Sequence, residues 1–95
     1  MTLLWTPLAI RDLAAIREFI SRDDPGATQR VVQHVIQNVE VFLPSHPQMG
    51  RSGRVSGTRE LVIPGTPFIV PYRIRGDQIQ ILRVYHSARR WPGKF

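Results

Sequence analysis

An α+β fold is predicted for this 95-residue chain by three observations. Two stretches with apolar residues at helical spacing follow one another in the first half. Three stretches of alternating apolar character, separated by Gly-led turns, fill the second half. A loop rich in Pro and Gly lies between the two regions. The predicted order is β-α-α-β-β-β in one domain, residues 1–95, with an antiparallel two-helix hairpin packed on a mainly antiparallel sheet.

Residues 3–6 are a short strand before a turn signal. Thr6-Pro7 reads as a capping residue followed by proline at the first helical position. Ala9, Leu13, Ile16 and Ile20 then recur at helical spacing, with Ile10 and Phe19 widening the stripe, so a helix is expected over 7–21. Asp23-Asp24-Pro25 is both a stop and a restart, with Asp24 able to cap a second helix over 25–43. Its stripe is Val32, Val35, Ile36, Val39 and Leu43, flanked by Val31 and Phe42, while Gln33, Gln37 and Glu40 face water. Valine is a modest helix former, so this helix depends on packing rather than propensity. Pro44 ends it, and the few residues between the helices require an antiparallel hairpin.

Residues 44–57 are expected to be an open, basic loop, because Pro44, Pro47, Gly50, Gly53 and Gly57 punctuate it and Arg51 and Arg54 charge it. Strands are predicted over 58–63, 67–75 and 78–86, joined at Gly65-Thr66 and Gly76-Asp77. These turns set a register: Ile63 with Phe68, Leu61 with Val70, Ile74 with Ile79, Tyr72 with Ile81. Period two then places Arg59, Leu61, Ile63, Phe68, Val70, Tyr72, Ile74, Ile79, Ile81, Arg83 and Tyr85 on one face, which should take the helices. Glu60, Val62, Ile69, Pro71, Arg73, Gln80, Leu82, Val84 and His86 fall on the other, expected to be open to a partner. Pro71 removes a donor from the middle strand, so a bulge or a shortened pairing is expected there. Residues 87–95 form a basic, aromatic tail.

Composition excludes several function classes. Cysteine is absent, so there is no disulfide framework, thiolate metal site or cysteine nucleophile. No apolar run is long enough to span a membrane, and residues 1–9 lack the basic-then-apolar pattern of a secretory signal. The net charge is +6, and twelve of the thirteen basic residues are Arg. Residues 1–50 carry four basic and five acidic residues, a net of −1, whereas residues 51–95 carry nine and two, a net of +7. The partner is therefore expected to be anionic, nucleic acid or an acidic protein, and to meet the C-terminal half.

The densest cluster is Arg83, His86, Arg89, Arg90 and Trp91, with Arg59 and Arg73 near it across the sheet. Cleavage of an RNA phosphodiester needs two proton carriers and cations for the developing charge. His86 fits the first requirement and arginine the last. Tyr85 and Glu60 are the possible second carriers, but the register puts them on opposite faces. The plainer reading is a basic sheet end that grips an acidic partner. Arg51, Arg54 and Arg59 form a second group, suited to tracking phosphates or carboxylates. Trp91 and Phe95 suit either base stacking or anchoring of the tail, and Trp5 is expected to anchor the sheet–helix boundary. His34 is expected to be exposed and His46 to lie in the loop. The histidines lack metal-ligand spacing, no carboxylates pair as a cation site, and no Gly-rich phosphate loop is present, so no metal or cofactor is expected.

The helical hairpin, the run Gly57-Thr58-Arg59-Glu60-Leu61, the run Pro71-Tyr72-Arg73-Ile74 and the ending from Ile81 to Pro92 together resemble the RelE/ParE family of toxins from bacterial type II toxin–antitoxin systems. The resemblance covers essentially the whole chain. It implies a cytoplasmic toxin whose first strand joins the sheet. It also implies a cognate antitoxin whose C-terminal segment wraps and neutralises the toxin, and which supplies the contact to operator DNA. The ribonuclease branch of the family cleaves ribosome-bound mRNA and carries Arg three residues before the tyrosine that matches Tyr72. Ile69 stands at that position here, and no Tyr follows Arg90. The sequence is more similar to the gyrase-poisoning branch, which implies a binding toxin without an active site. On that reading Arg51, Arg54, Arg59, Arg73, Arg83, His86, Arg89, Arg90 and Trp91 contact target or antitoxin. The alternatives are a ribosome-dependent endoribonuclease using His86, Arg83 and Arg89, or a degenerate, non-toxic family member.

Overall fold

The computed structural model describes residues 1–21 and 25–95. The elements are β1 (Thr2–Trp5), α1 (Pro7–Ser21), α2 (Pro25–Gln37), β2 (Arg51–Ser52), β3 (Arg59–Val62), β4 (Phe68–Arg75), β5 (Gln78–Ile81) and β6 (Tyr85–His86). The α+β architecture is the expected one. The expected cap at Asp24 lies outside the described residues.

Thr6 does cap α1: its Oγ1 accepts from the Ala9 amide at 3.4 Å and its carbonyl accepts from Ile10 at 3.1 Å. The same hydroxyl donates to the Ile81 carbonyl at 2.7 Å, so one side chain starts the helix and ties it to the sheet. The second helix ends in a π-helical turn, Asn38–Phe42, rather than continuing as α-helix. Asn38 Nδ2 donates to the His34 carbonyl at 2.8 Å, taking the acceptor that α-helical geometry assigns to the Asn38 amide. Val39 and Leu43 are fully buried, whereas Phe42, expected beside the stripe, is exposed. Ile10 is 54% exposed and does not widen the stripe of α1.

The sheet order is β1-β5-β4-β3-β2, with β6 pairing β4 beyond the end of β5. The N-terminal strand lies at the edge, parallel to β5, with Leu3 opposite Ile79. The turn-derived register is found: Leu61 pairs Val70, Ile74 pairs Ile79, Tyr72 pairs Ile81, and the Ile63 amide donates to the Phe68 carbonyl at 3.1 Å. Gly65 and Gly76 have φ of 73° and 60°, the left-handed backbone that these turns require.

The strand predicted over 78–86 is broken. Tyr72 pairs Ile81, yet Ile69 pairs Tyr85 and Phe68 pairs His86. Leu82, Arg83 and Val84 therefore stand opposite only Val70 and Pro71, a bulge of one surplus residue. The Leu82 amide donates to the Pro71 carbonyl at 3.0 Å, so Pro71 turns its missing donor toward the bulge, where no ladder bond is needed. The compensation expected for Pro71 is present, but on the neighbouring strand. Its consequence was not expected: past the bulge the faces exchange. Val84 joins the core and His86 shares the helix-side face with Phe68, whereas Tyr85 shares the second face with Ile69.

The core holds Ala9, Val35, Val39 and Leu43 of the helical layer against Leu61, Ile63, Val70, Tyr72, Ile79 and Ile81 of the sheet. Trp5 packs at its margin, as expected of a boundary anchor, and its Nε1 donates to Glu40 at 3.2 Å. Among the described residues no helix is long and apolar enough to cross a membrane.

Candidate functional site

Three knots of polar contact organise the C-terminal half. The first lies at the bulge. Asp12 on α1 accepts from Arg83 Nε at 2.8 Å, from Arg83 Nη2 at 2.9 Å and from the Val84 amide at 2.9 Å. The two side chains are 13% and 18% exposed, so the pair is largely withdrawn from solvent. The Asp12 hydrogen bonds raise the Arg83 pKa above its already high ordinary value, fixing the charge. Asp12 bridges α1 to the bulge of the sheet.

The second knot is aromatic. Trp91 meets the Tyr85 ring edge-on at 5.2 Å, and Phe95 packs on it at 6.2 Å. The guanidinium groups of Arg83 and Arg89 lie 4.7 and 4.2 Å from its centroid, and Arg54 stacks on Trp91 at 4.2 Å. The tail thus anchors itself by aromatics on the second sheet face. The expectation of a face open to a partner fails here: Ile69, Leu82 and Tyr85 are all buried. Trp91 Nε1 is buried without a hydrogen-bond partner, the one such side-chain atom among the described residues.

The third knot is Glu60, expected on an open face but 1% exposed. Its Oε1 accepts from Arg51 Nε and Nη2 at 3.2 and 3.1 Å, with Arg54 Nε at 3.7 Å, and its Oε2 accepts from the Arg54 amide at 2.7 Å. Around it, Arg59 Nη1 donates to the carbonyls of Gln48 and Gly50 at 3.2 and 2.8 Å. The Tyr72 hydroxyl donates to Pro47 at 2.8 Å and accepts from the Gly50 amide at 2.9 Å. Burial raises the Tyr72 pKa above its ordinary 10.0, against a smaller opposing effect of that amide bond. The segment expected to be an open loop is therefore tied down, and Arg51–Ser52 pairs with Arg59 and Glu60 as β2.

Between the tail, the start of α1 and the second sheet face lies a groove of about 590 Å³. Its apolar floor includes Leu8, Leu82 and Tyr85, and Arg73, Arg89, Arg90 and Lys94 charge its rim. No Asp or Glu lines it.

The candidate residues separate accordingly. Arg73, Arg83, Arg89, Arg90 and Trp91 come together around the groove. Arg51, Arg54 and Arg59 turn toward Glu60 and loop carbonyls instead. His86 is not joined to Arg83 and Arg89: its ring meets Phe68 edge-on at 5.8 Å on the helix-side face, while both arginines stack on Tyr85 across the sheet. Its Nδ1 accepts from the Ala88 amide at 3.0 Å. The bulge also places Tyr85 on the same face as Glu60, against the expected register, but the carboxylate is already enclosed by arginines. Of the other histidines, His34 is exposed, as expected, with Nε2 donating to Pro64 at 2.8 Å, and His46 lies in the loop. Among the described residues no group of three or more His, Cys, Asp or Glu could hold a metal ion.

Asp12, Glu60 and Tyr72 were not legible as organising residues. For Asp12 a signal existed: it stands three residues after Ala9 and four before Ile16, on one flank of the buried stripe.

Comparison with known proteins gives a consistent result. A family model described as the ParE toxin of the type II toxin–antitoxin system parDE matches residues 3–91. A putative toxin, Y4kP, of Sinorhizobium fredii is 44% identical over 88 residues, covering 93% of this chain and 90% of that protein. The toxin RelE2 of Caulobacter vibrioides is 30% identical over 86 residues, covering 90% and 94%. Among solved structures, a chain of the chromosomal ParDE system from P. aeruginosa superposes with a TM-score of 0.81 at 33% identity, covering 90% of this chain and 95% of that one. A chain of the RelBE2 toxin–antitoxin complex from Mycobacterium tuberculosis gives 0.69 at 27% identity over the same shares.

Proposed function

This chain belongs to the RelE/ParE family of type II toxin–antitoxin toxins, matching the ParE model, and from that premise we propose that it arrests growth by binding DNA gyrase, without chemistry of its own. The observation that carries this reading is the separation of His86 from Arg83 and Arg89 across the sheet. A phosphodiester-cleaving site needs its proton carrier and its phosphate-binding cations on one substrate. Here the cations are stacked on Tyr85, and one is already committed to Asp12. Ile69 adds support, being buried where the ribonuclease branch places an arginine.

The gripping surface is the cationic groove. Apolar area in its floor supplies affinity, and the rim arginines supply steering and specificity. An antitoxin segment with apolar anchors and acidic flanks matches the same surface, so neutralisation would be competition for it, and operator DNA is reached through the antitoxin.

The test pairs two assays on purified toxin: supercoiling by gyrase and cleavage of translating mRNA. Supercoiling should be inhibited, unchanged by His86→Ala, and relieved at least about tenfold by Arg89→Glu with Arg90→Glu, the scale of lost steering and rim contacts. Cleavage of mRNA that disappears in His86→Ala, with supercoiling untouched, would establish the endoribonuclease reading instead. Absence of both activities would leave the non-toxic family member.

A further inference from the structure

The groove continues into a second, smaller cavity of about 180 Å³, and the two share Arg73, Lys94 and Phe95. Along the combined path stand Arg90, Arg89, Lys94, Arg73 and Arg75, and neither cavity is lined by an acid. None of the five takes part in an ion pair among the described residues, where the three salt bridges are made by Arg51, Arg54 and Arg83. Arg51, Arg54 and Arg83 are neutralised by Glu60 and Asp12, whereas this row gathers five cations with no acid among its lining residues. Among the described residues Arg73 uses only Nε internally, donating to Gln80 at 2.8 Å. At the far end Ser56-Gly57-Thr58 line the path, and a Cβ built on Gly57 would meet nothing within 4 Å, so a ligand backbone has room.

We propose that this path binds a single strand of DNA. The inference rests on the gyrase reading and assigns the groove's contact in that complex to the DNA the enzyme holds. A run of cations without acids follows a phosphodiester backbone, which carries one charge per nucleotide, and the exposed Phe95 beside it offers a ring for a base. A duplex hides its base faces in the stack and can engage the arginines but not this ring.

The test uses the full-length toxin without gyrase, so its outcome is independent of whether gyrase is the target. Fluorescence anisotropy is measured with a labelled single-stranded oligodeoxynucleotide, the same sequence as duplex, and the same sequence as RNA. Neutralising five cations gives an expected slope of log affinity against log salt of about −3.5, or about 20-fold weaker binding for each 2.4-fold rise in salt. Arg75→Ala with Lys94→Ala should flatten that slope by about 1.4, whereas Arg17→Ala with Arg30→Ala, an equal charge loss on the helices, should leave it unchanged. Phe95→Ala should weaken single-stranded binding and spare duplex binding. All four cations replaced are exposed, and the wild-type salt slope tests the proposal without any variant. Equal effects of the two double variants, or equal binding of duplex and single strand, would overturn it. Tighter binding of the RNA would overturn the assignment to DNA. Displacement by polyglutamate as effective as by the oligonucleotide would assign the path to an acidic protein segment.

Discussion

Replacing Asp12 by Ala removes three hydrogen bonds at once and leaves Arg83 charged in a site only 18% exposed. Breaking one side of a buried ion pair costs about 3–5 kcal/mol. Residual exposure of 13% and 18% lets water recover part of that, which brings the expected loss to about 3 kcal/mol. For a domain of this size each kcal/mol moves the midpoint by about 4–8 °C, so the melting temperature should fall by about 12–24 °C. The pair Asp12→Leu with Arg83→Met should lose less than either single replacement, about 1–2 kcal/mol, because only the Val84 amide is then left without its acceptor. The assay is thermal and urea unfolding of Asp12→Ala and of the wild type, Asp12→Leu, Arg83→Met and their pair, the last four read as a double-mutant cycle. High salt should change the wild-type value little, since the pair is shielded from the ionic atmosphere. A loss below about 1 kcal/mol for Asp12→Ala, or simple additivity in the double variant, would refute the claim that this bridge holds the bulge.

Two further predictions concern the tied-down loop. Tyr72 has a raised pKa in the folded state, so its contribution to stability is complete below its unfolded value of 10.0 and is lost as pH rises through the folded value. Urea unfolding should therefore show stability falling above pH 10, and Tyr72→Phe should remove that part of the fall while lowering stability at neutral pH; identical alkaline slopes would refute it. A Cβ at Gly50 would lie 2.6 Å from the Tyr72 ring and hydroxyl and 3.0 Å from the Glu60 carbonyl, whereas Gly57, at φ 78°, faces open space. Gly50→Ala should cost about 2–3 kcal/mol by overpacking and Gly57→Ala about 1 kcal/mol by backbone strain, and equal costs would refute the distinction.

The helices and turns were legible because their signals are local: Thr6-Pro7 starts α1, and Gly65 and Gly76 fix the pairing of three strands. The bulge was not, because both phases of Leu82-Arg83-Val84-Tyr85 present apolar residues, so alternation gives no sign that the register slips. Pro71 announced an irregularity but not which strand would carry it. Glu60 read as solvent-facing because a lone acid in an alternating strand ordinarily is, and its burial depends on arginines brought in by a loop from the preceding ten residues. The same distance effect hid the bridge from Asp12 to Arg83, 71 positions apart. Family resemblance supplied the architecture but not these contacts. The groove was anticipated only as a basic end of the chain; its walls come from α1, β4 and the returning tail.

One surplus residue at Leu82–Val84 decides which side of the sheet receives everything that follows. Parity in a strand has two values and no intermediate. Losing a single codon here would remove the surplus and leave Tyr85 opposite Ile69, with the mooring of Trp91 and Phe95 where it is. Closing the bulge in the intact chain would instead set Tyr85 opposite Phe68 and carry it to the other side, while every strand partner upstream stays the same.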